Sequence, residues 1–179
     1  MIDSPRRGPA ILALIVLVVL PVARADEEGE PFRPEADRHG VLELPADRAI
    51  LLGDRLRLAG EPATVVDWAS TTELVRWDFE LEHPGAFVVV VEYAAPAGRG
   101  GAVVRVVSND QVREAPVHAT GSPTRFMPQP MKGVIRLPGG RNRLEVRAVE
   151  APGGLVMNLR RVRLVPANAN ANDIDNANK

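Results

Sequence analysis

Two β-strands stand back to back between Leu74 and Tyr93. Val75, Trp77, Phe79 and Leu81 alternate with Arg76, Asp78, Glu80 and Glu82. Successive side chains of a strand point to opposite faces, so this period of two describes a strand with one face in a core and the other in water. His83-Pro84-Gly85 stops it, because proline fixes φ and withdraws a backbone donor. In the segment that follows, Phe87, Val89, Val91 and Tyr93 share one face and Val88 and Val90 the other. An apolar strand of that kind is covered on both sides and therefore central. A half-polar strand, a Pro-Gly turn and a doubly apolar strand are the middle of a β-sandwich.

The rest of the chain repeats the theme. Strand signals start near Val41 and recur at Arg48–Leu52, Arg55–Ala59, Ala102–Val107, Val112–Val117, Gly133–Leu137, Leu144–Val149 and Leu155–Val165. Turn clusters separate them at Ala94–Gly101, Asn109-Asp110, Pro138-Gly139-Gly140 and Pro152-Gly153-Gly154. Short strands at this spacing predict an all-β fold, an antiparallel β-sandwich of jelly-roll type. No helical period lasts three turns, and Ser70–Glu73 has room for a single turn. In the last strand Leu155, Met157 and Leu159 share one phase, whereas Val162 and Leu164 share the other. A one-residue slip reverses every later side chain, so a β-bulge is expected at Arg160-Arg161.

The ends read differently. Arg6 and Arg7, the apolar run Ile11–Leu20 and Ala23-Arg24-Ala25 form the pattern of a secretory signal cleaved after Ala25. The run is short for a bilayer-spanning helix, so no membrane insertion is expected after cleavage. Loss of residues 1–25 removes three arginines and one aspartate and shifts the formal charge from −1 to −3. Such a balance offers nucleic acid no general attraction. Residues 26–40, acidic and holding Pro31 and Pro34, read as a flexible lead-in. Residues 41–166 form the domain, and the Asn/Ala-rich stretch 167–179 reads as a disordered tail. The chain has no cysteine, so it folds without disulfides and has neither a thiol nucleophile nor a cysteine-based zinc site.

Catalysis finds little support. His39, His83 and His118 are far apart in sequence, and no Gly-x-Ser-x-Gly elbow is present. Asp78, Glu80 and Glu82 share a strand face that is expected to be solvated. Asp47, Asp67, Glu73 and Asp110 are oxygen donors near loops, without an Asp-x-Asp-x-Asp spacing for Ca²⁺. Arg143, Arg147, Arg160, Arg161 and Arg163 crowd the last two strands, where a basic strip could grip a sulfated or uronic-acid glycan; Glu145 interrupts it and alternation favours an outward, solvated face. Phe126, Met127 and Met131 are expected to form a small satellite cluster. Trp77 is in phase with the core. Trp68 follows Val65-Val66-Asp67 and precedes a polar run, which places it at a strand end or in a loop. There it either packs or, beside Asp67, forms an aromatic-plus-acceptor pair for a sugar.

The pattern resembles the galactose-binding-like β-sandwich, especially the accessory domain of bacterial α-L-fucosidases and sulfatases, and is similar to carbohydrate-binding module families 6 and 35. The residues that carry the resemblance are Leu44-Pro45-Ala46 with Ala49 and Leu52-Gly53, then Trp68, Val75-x-Trp77-x-Phe79 and Pro84-Gly85-Ala86-Phe87. Leu137-Pro138-Gly139-Gly140, Leu144-x-Val146 and Val156-Met157-Asn158-Leu159-Arg160-Arg161-Val162-x-Leu164 complete it. It spans Val41 to Pro166. It implies a non-catalytic module for a polysaccharide or glycoconjugate, which the export signal makes secreted or periplasmic. In this reading Trp68 and Asp67 form the ligand-binding pair, assisted by Glu73 or Asn158. Relatives often carry an acidic residue where Asn158 stands, which can help hold a structural calcium; with Asn there, no cofactor is expected. Relatives also place a Trp shortly after the Thr-Gly pair, where this chain has Ser122-Pro123-Thr124. The alternative is an envelope β-sandwich that binds a protein and has lost the sugar site.

Overall fold

The strands β5 (Leu74–Leu81) and β6 (Gly85–Ala94) form where the alternation places them, yet they do not pair with each other. The Pro84 turn carries the chain from one sheet to the other. This computed structural model describes residues 31–98 and 100–168. In chain order the remaining strands are β1 (Leu42–Pro45), β2 (Ile50–Leu52), β3 (Arg57–Ala59), β4 (Thr64–Val66), β7 (Val103–Ser108), β8 (Gln111–Pro116), β9 (Met127–Pro130), β10 (Ile135–Leu137), β11 (Gly140–Glu150) and β12 (Asn158–Pro166), with a 3₁₀ turn at Ala46–Arg48. One sheet runs β2-β5-β11-β7-β8. The other runs β10-β6-β12-β4-β3, with β9 also on β6 and β1 also on β12. The ladders within both sheets are antiparallel.

The core lies between the sheets. Val75, Trp77, Phe79, Leu144 and Val146 from one meet Val89, Val91, Leu159, Val162 and Leu164 from the other. The Trp77 indole is fully buried and donates to the Pro45 carbonyl at 2.8 Å, so its one polar atom is satisfied inside the core. Strand β6 is central, with β12 on one side and β9 and β10 on the other. Val90, on its second face, packs with Val41 and Val165 in a separate cluster. The bulge falls at the expected place: Leu159 opposes Tyr93, Arg161 opposes Glu92, and Arg160 is the extra residue.

Two strands escaped the sequence reading. Strand β9 contains Pro128 and Pro130, which look like punctuation, but a sheet edge tolerates residues without an N–H. Strand β4 has only three residues. The edge of β8 is tied to the opposite sheet. The Gln111 side chain donates to the Arg136 carbonyl (2.6 Å) and accepts from the Arg136 N–H (2.7 Å), while Arg113 donates to the Val134 carbonyl. Such stitching blocks edge-to-edge pairing.

The lead-in needs correction. Residues 31–40 pack on the sandwich instead of hanging free. The Phe32 N–H donates to the Asp78 carbonyl (3.3 Å) and the Glu80 N–H donates to the Phe32 carbonyl (2.8 Å), which extends the edge of β5 beyond β2. The Asp37 carboxylate accepts from the N–H groups of His39 and Val41, capping the turn into β1. The expected domain start at Val41 cuts through this structure. The expected export signal over residues 1–25 and nearly all of the expected 167–179 tail lie outside the described residues.

The arginines do not form one strip. Arg143 and Arg147 belong to the five-stranded sheet, where Arg143 pairs with Asp78 at 2.6 Å and Arg147 with Glu145 at 2.9 Å. Arg160, Arg161 and Arg163 belong to the other sheet, and Arg163 is buried rather than solvated. The Phe126–Met131 cluster is also dispersed. Met131 is in the core, Met127 is exposed, and Phe126 is half-buried beneath Arg160.

Candidate functional site

Strands β4, β6 and β11 end, and β5 and β12 begin, at one end of the sandwich. Of the four residues expected to bind ligand, Asp67, Trp68 and Glu73 lie in the loops there and Asn158 opens β12. Asp67 has φ of +62°, a conformation open to aspartate but rare for most residues. At this turn the Asp67 carboxylate is exposed and pairs with Arg57, while the next side chain re-enters the core. Trp68 is consequently 0% exposed, and its indole donates to the Ser70 carbonyl at 3.2 Å. The expected sugar platform is corrected: a buried indole has no face to offer. The Trp68 carbonyl accepts from the Val156 N–H at 2.8 Å and so ties two loops together.

Glu73 is buried as well. Its carboxylate accepts from the N–H groups of Arg55 (2.9 Å) and Ala69 (3.4 Å). Gly53, at φ +153°, lies against the Glu73 side chain so closely that a Cβ there would collide with it. Glu73 thus anchors loops rather than facing a ligand. The Asn158 side chain donates to the Pro123 carbonyl at 2.9 Å and clasps the loop before β9. Of the four, Asp67 alone is exposed, and Asn158 is half-buried. It lines a shallow cleft of about 380 Å³ with Arg55, Ala69 and Leu155.

A second groove at the same end, about 430 Å³, was not foreseen. Tyr93, His118, Ala119, Thr120, Arg125, Met127, Pro128, Gln129 and Pro130 line it. Its base is a closed network. The Tyr93 hydroxyl donates to Gln129 and accepts from the His118 N–H at 2.9 Å, and Gln129 donates to the Pro116 carbonyl at 2.9 Å. Burial pushes the Tyr93 phenol up, against a smaller opposite effect of the His118 N–H. The Thr120 hydroxyl accepts from the Ala95 N–H at 3.0 Å, so the Thr-Gly pair clips the loop to the end of β6. These groups are used up. The exposed side chains of His118, Arg125 and Met127 remain to meet a ligand. The sequence signal was Arg125-Phe126-Met127 between prolines, which reads as loop packing without the sheet that it borders.

Behind this groove the bulge gathers charge. Glu92 accepts from Arg161 (2.8 and 3.2 Å) and Arg160 (3.2 Å), and Arg161 reaches on to Glu43 (3.1 Å). Burial alone would raise the Glu92 carboxyl; the hydrogen bond and charge of Arg161, with Arg163 and Arg160, outweigh it and hold the group below its ordinary range. The Arg160 guanidinium sits 3.6 Å over the Phe126 ring, a cation–π contact that fixes the approach to the groove.

Among the described residues no three His, Asp or Glu side chains are placed to hold a metal ion, and no helix is long and apolar enough to cross a membrane. Asp47 and Asp110 are exposed in separate turns.

No protein-family model and no curated protein matches the sequence. Solved structures do resemble it. The family 35 carbohydrate-binding module from Clostridium thermocellum is 16% identical with a TM-score of 0.59, covering 71% of this chain and 98% of that one. The C-terminal family 6 module of the laminarinase LamC from Zobellia galactanivorans is 11% identical with a TM-score of 0.55, over 70% of this chain and 98% of that one. The mosquito-larvicidal Cry4Aa toxin from Bacillus thuringiensis is 13% identical with a TM-score of 0.60, over 70% of this chain but 23% of the toxin. At these identities the likeness is one of fold. The chain has an antiparallel β-sandwich fold like that of the carbohydrate-binding modules of families 6 and 35.

Proposed function

We propose that this is an exported, non-catalytic carbohydrate-binding module that holds a polysaccharide or glycoconjugate at its loop end. The groove at Arg125 carries the reading. Its base is rigid and internally hydrogen-bonded, as in sites formed in advance of their ligand. Arg125 and His118 supply polar groups for sugar hydroxyls, and the exposed Met127 supplies apolar contact where an aromatic ring would be expected. The Asp67–Arg55 cleft is a second contact at the same end. The three histidines are exposed on three separate loops, which favours binding over hydrolysis.

A second reading is an envelope module that binds a protein. It is favoured by the burial of Trp68, Trp77, Phe79, Phe87 and Tyr93, which leaves Phe126, half-buried beneath Arg160, as the one partly exposed aromatic ring at the loop end among the described residues. Affinity electrophoresis of Arg125→Ala and Asp67→Ala variants through a panel of polysaccharides separates the two. Arg125→Ala should weaken retention about tenfold, or ~1.4 kcal/mol, with an unchanged melting temperature. Retention that is unaffected by both substitutions removes the site.

A further inference from the structure

The largest of these cavities, about 770 Å³, is at the opposite end of the sandwich from the loops just described. One wall is the docked lead-in, with Arg33, Pro34, Glu35 and Ala36. The other is the end of β5 and its turn, with Glu80, Glu82, His83 and Pro84. Leu42, Leu81 and Phe87, all buried, form the floor. The volume is within the about 300–1,000 Å³ typical of ligand sites.

The rim has a charge sign. Arg33 is paired with Glu80 at 2.9 Å, so these two neutralise each other. Among the described lining residues Glu35 and Glu82 remain, with His83 at 3.7 Å from Glu82 and 89% of the Glu82 side chain exposed. An apolar floor beneath a net negative rim favours an occupant that is apolar at its centre and basic at its flanks.

The chain's own tail is the competing occupant, because it departs beside the cavity: the Ala167 N–H donates to the Ala86 carbonyl at 2.8 Å. Its one sizeable apolar residue beyond Asn168 is Ile174, flanked by Asp173 and Asp175. Those charges match the rim in sign and repel it. The complementary flanks must come from elsewhere. We propose that this cavity docks a basic segment of a partner protein, which inserts a leucine-sized side chain between Lys or Arg residues.

The test is a nitrogen-15 chemical-shift titration of the full chain with the peptide acetyl-Lys-Leu-Lys-Leu-Lys-amide at about 0.15 M salt. Expected are saturable shifts confined to residues 33–42 and 80–87. Exchanging the peptide's Leu for Ser, or making the exposed double change Glu35→Gln and Glu82→Gln, should weaken binding about tenfold. Lack of saturation at millimolar peptide, shifts centred elsewhere, or an unchanged affinity of the double variant overturns the proposal. So does a chain ending at Asn168 whose amides at 80–87 shift without any peptide, since the tail would then be the occupant.

Discussion

Replacing Trp68 by alanine removes an indole that has no exposed surface. Truncation of a large buried aromatic costs about 3–5 kcal/mol, the transfer free energy of the lost atoms plus the cavity left behind. The indole hydrogen bond adds little to this. Its acceptor, the Ser70 carbonyl, is on a half-exposed residue and can take water instead. The backbone bond from Val156 to the Trp68 carbonyl survives the change. The loss is thus set by packing and is a large share of the roughly 5–15 kcal/mol that holds such a domain together. Urea unfolding followed by far-ultraviolet circular dichroism reads it directly. With a slope of about 2 kcal/mol per molar, the midpoint should fall by roughly 2 M. Trp68→Phe should recover more than half of the loss. A Trp68→Ala protein with an unchanged midpoint and lost glycan retention would refute the packing role and restore the indole as a sugar platform.

Other outcomes follow from the same contacts. A chain that starts at Val41 loses the Phe32 backbone pairing with β5 and the Asp37 cap, at about 1 kcal/mol for each kind of bond, and its melting temperature should drop by several degrees; an unchanged value would show that residues 31–40 contribute nothing. Glu92 titrates below its ordinary 4.5 in the folded protein, so its contribution is present above that pH and disappears as the pH falls through the lowered folded value. Acid unfolding monitored by circular dichroism should therefore be less steep in Glu92→Gln, which at neutral pH should be roughly 2 kcal/mol less stable. An identical acid limb in both proteins would remove Glu92 from the account.

Legibility in the sequence was uneven for physical reasons. Periodicity is a local signal, and it revealed the strands around Trp77 and Val89, the two-sided burial of β6 and the bulge at Arg160. It failed where the decisive contact was distant. Trp68 has polar neighbours in sequence, and only the turn at Asp67 shows that its side chain enters the core. Glu92, a lone carboxylate in an apolar strand, drew no reading from the sequence, because its partners Arg160 and Arg161 are 68 and 69 residues away. The lead-in has the composition of a linker, yet Phe32 and Asp37 suffice to dock it. Asp67 was recognised as an exposed acceptor, whereas the groove at Arg125 exists only because a proline-containing strand lies along β6.

Carbohydrate binding at the loop end is the property on which the proposed function stands or falls. A broad glycan array probed with the full chain measures it. Saturable retention of a restricted class of glycans is expected, lost in Arg125→Ala and kept in Glu82→Gln at the opposite end. The absence of any glycan bound above background by a folded protein would contradict it and leave the sandwich as a protein-binding module.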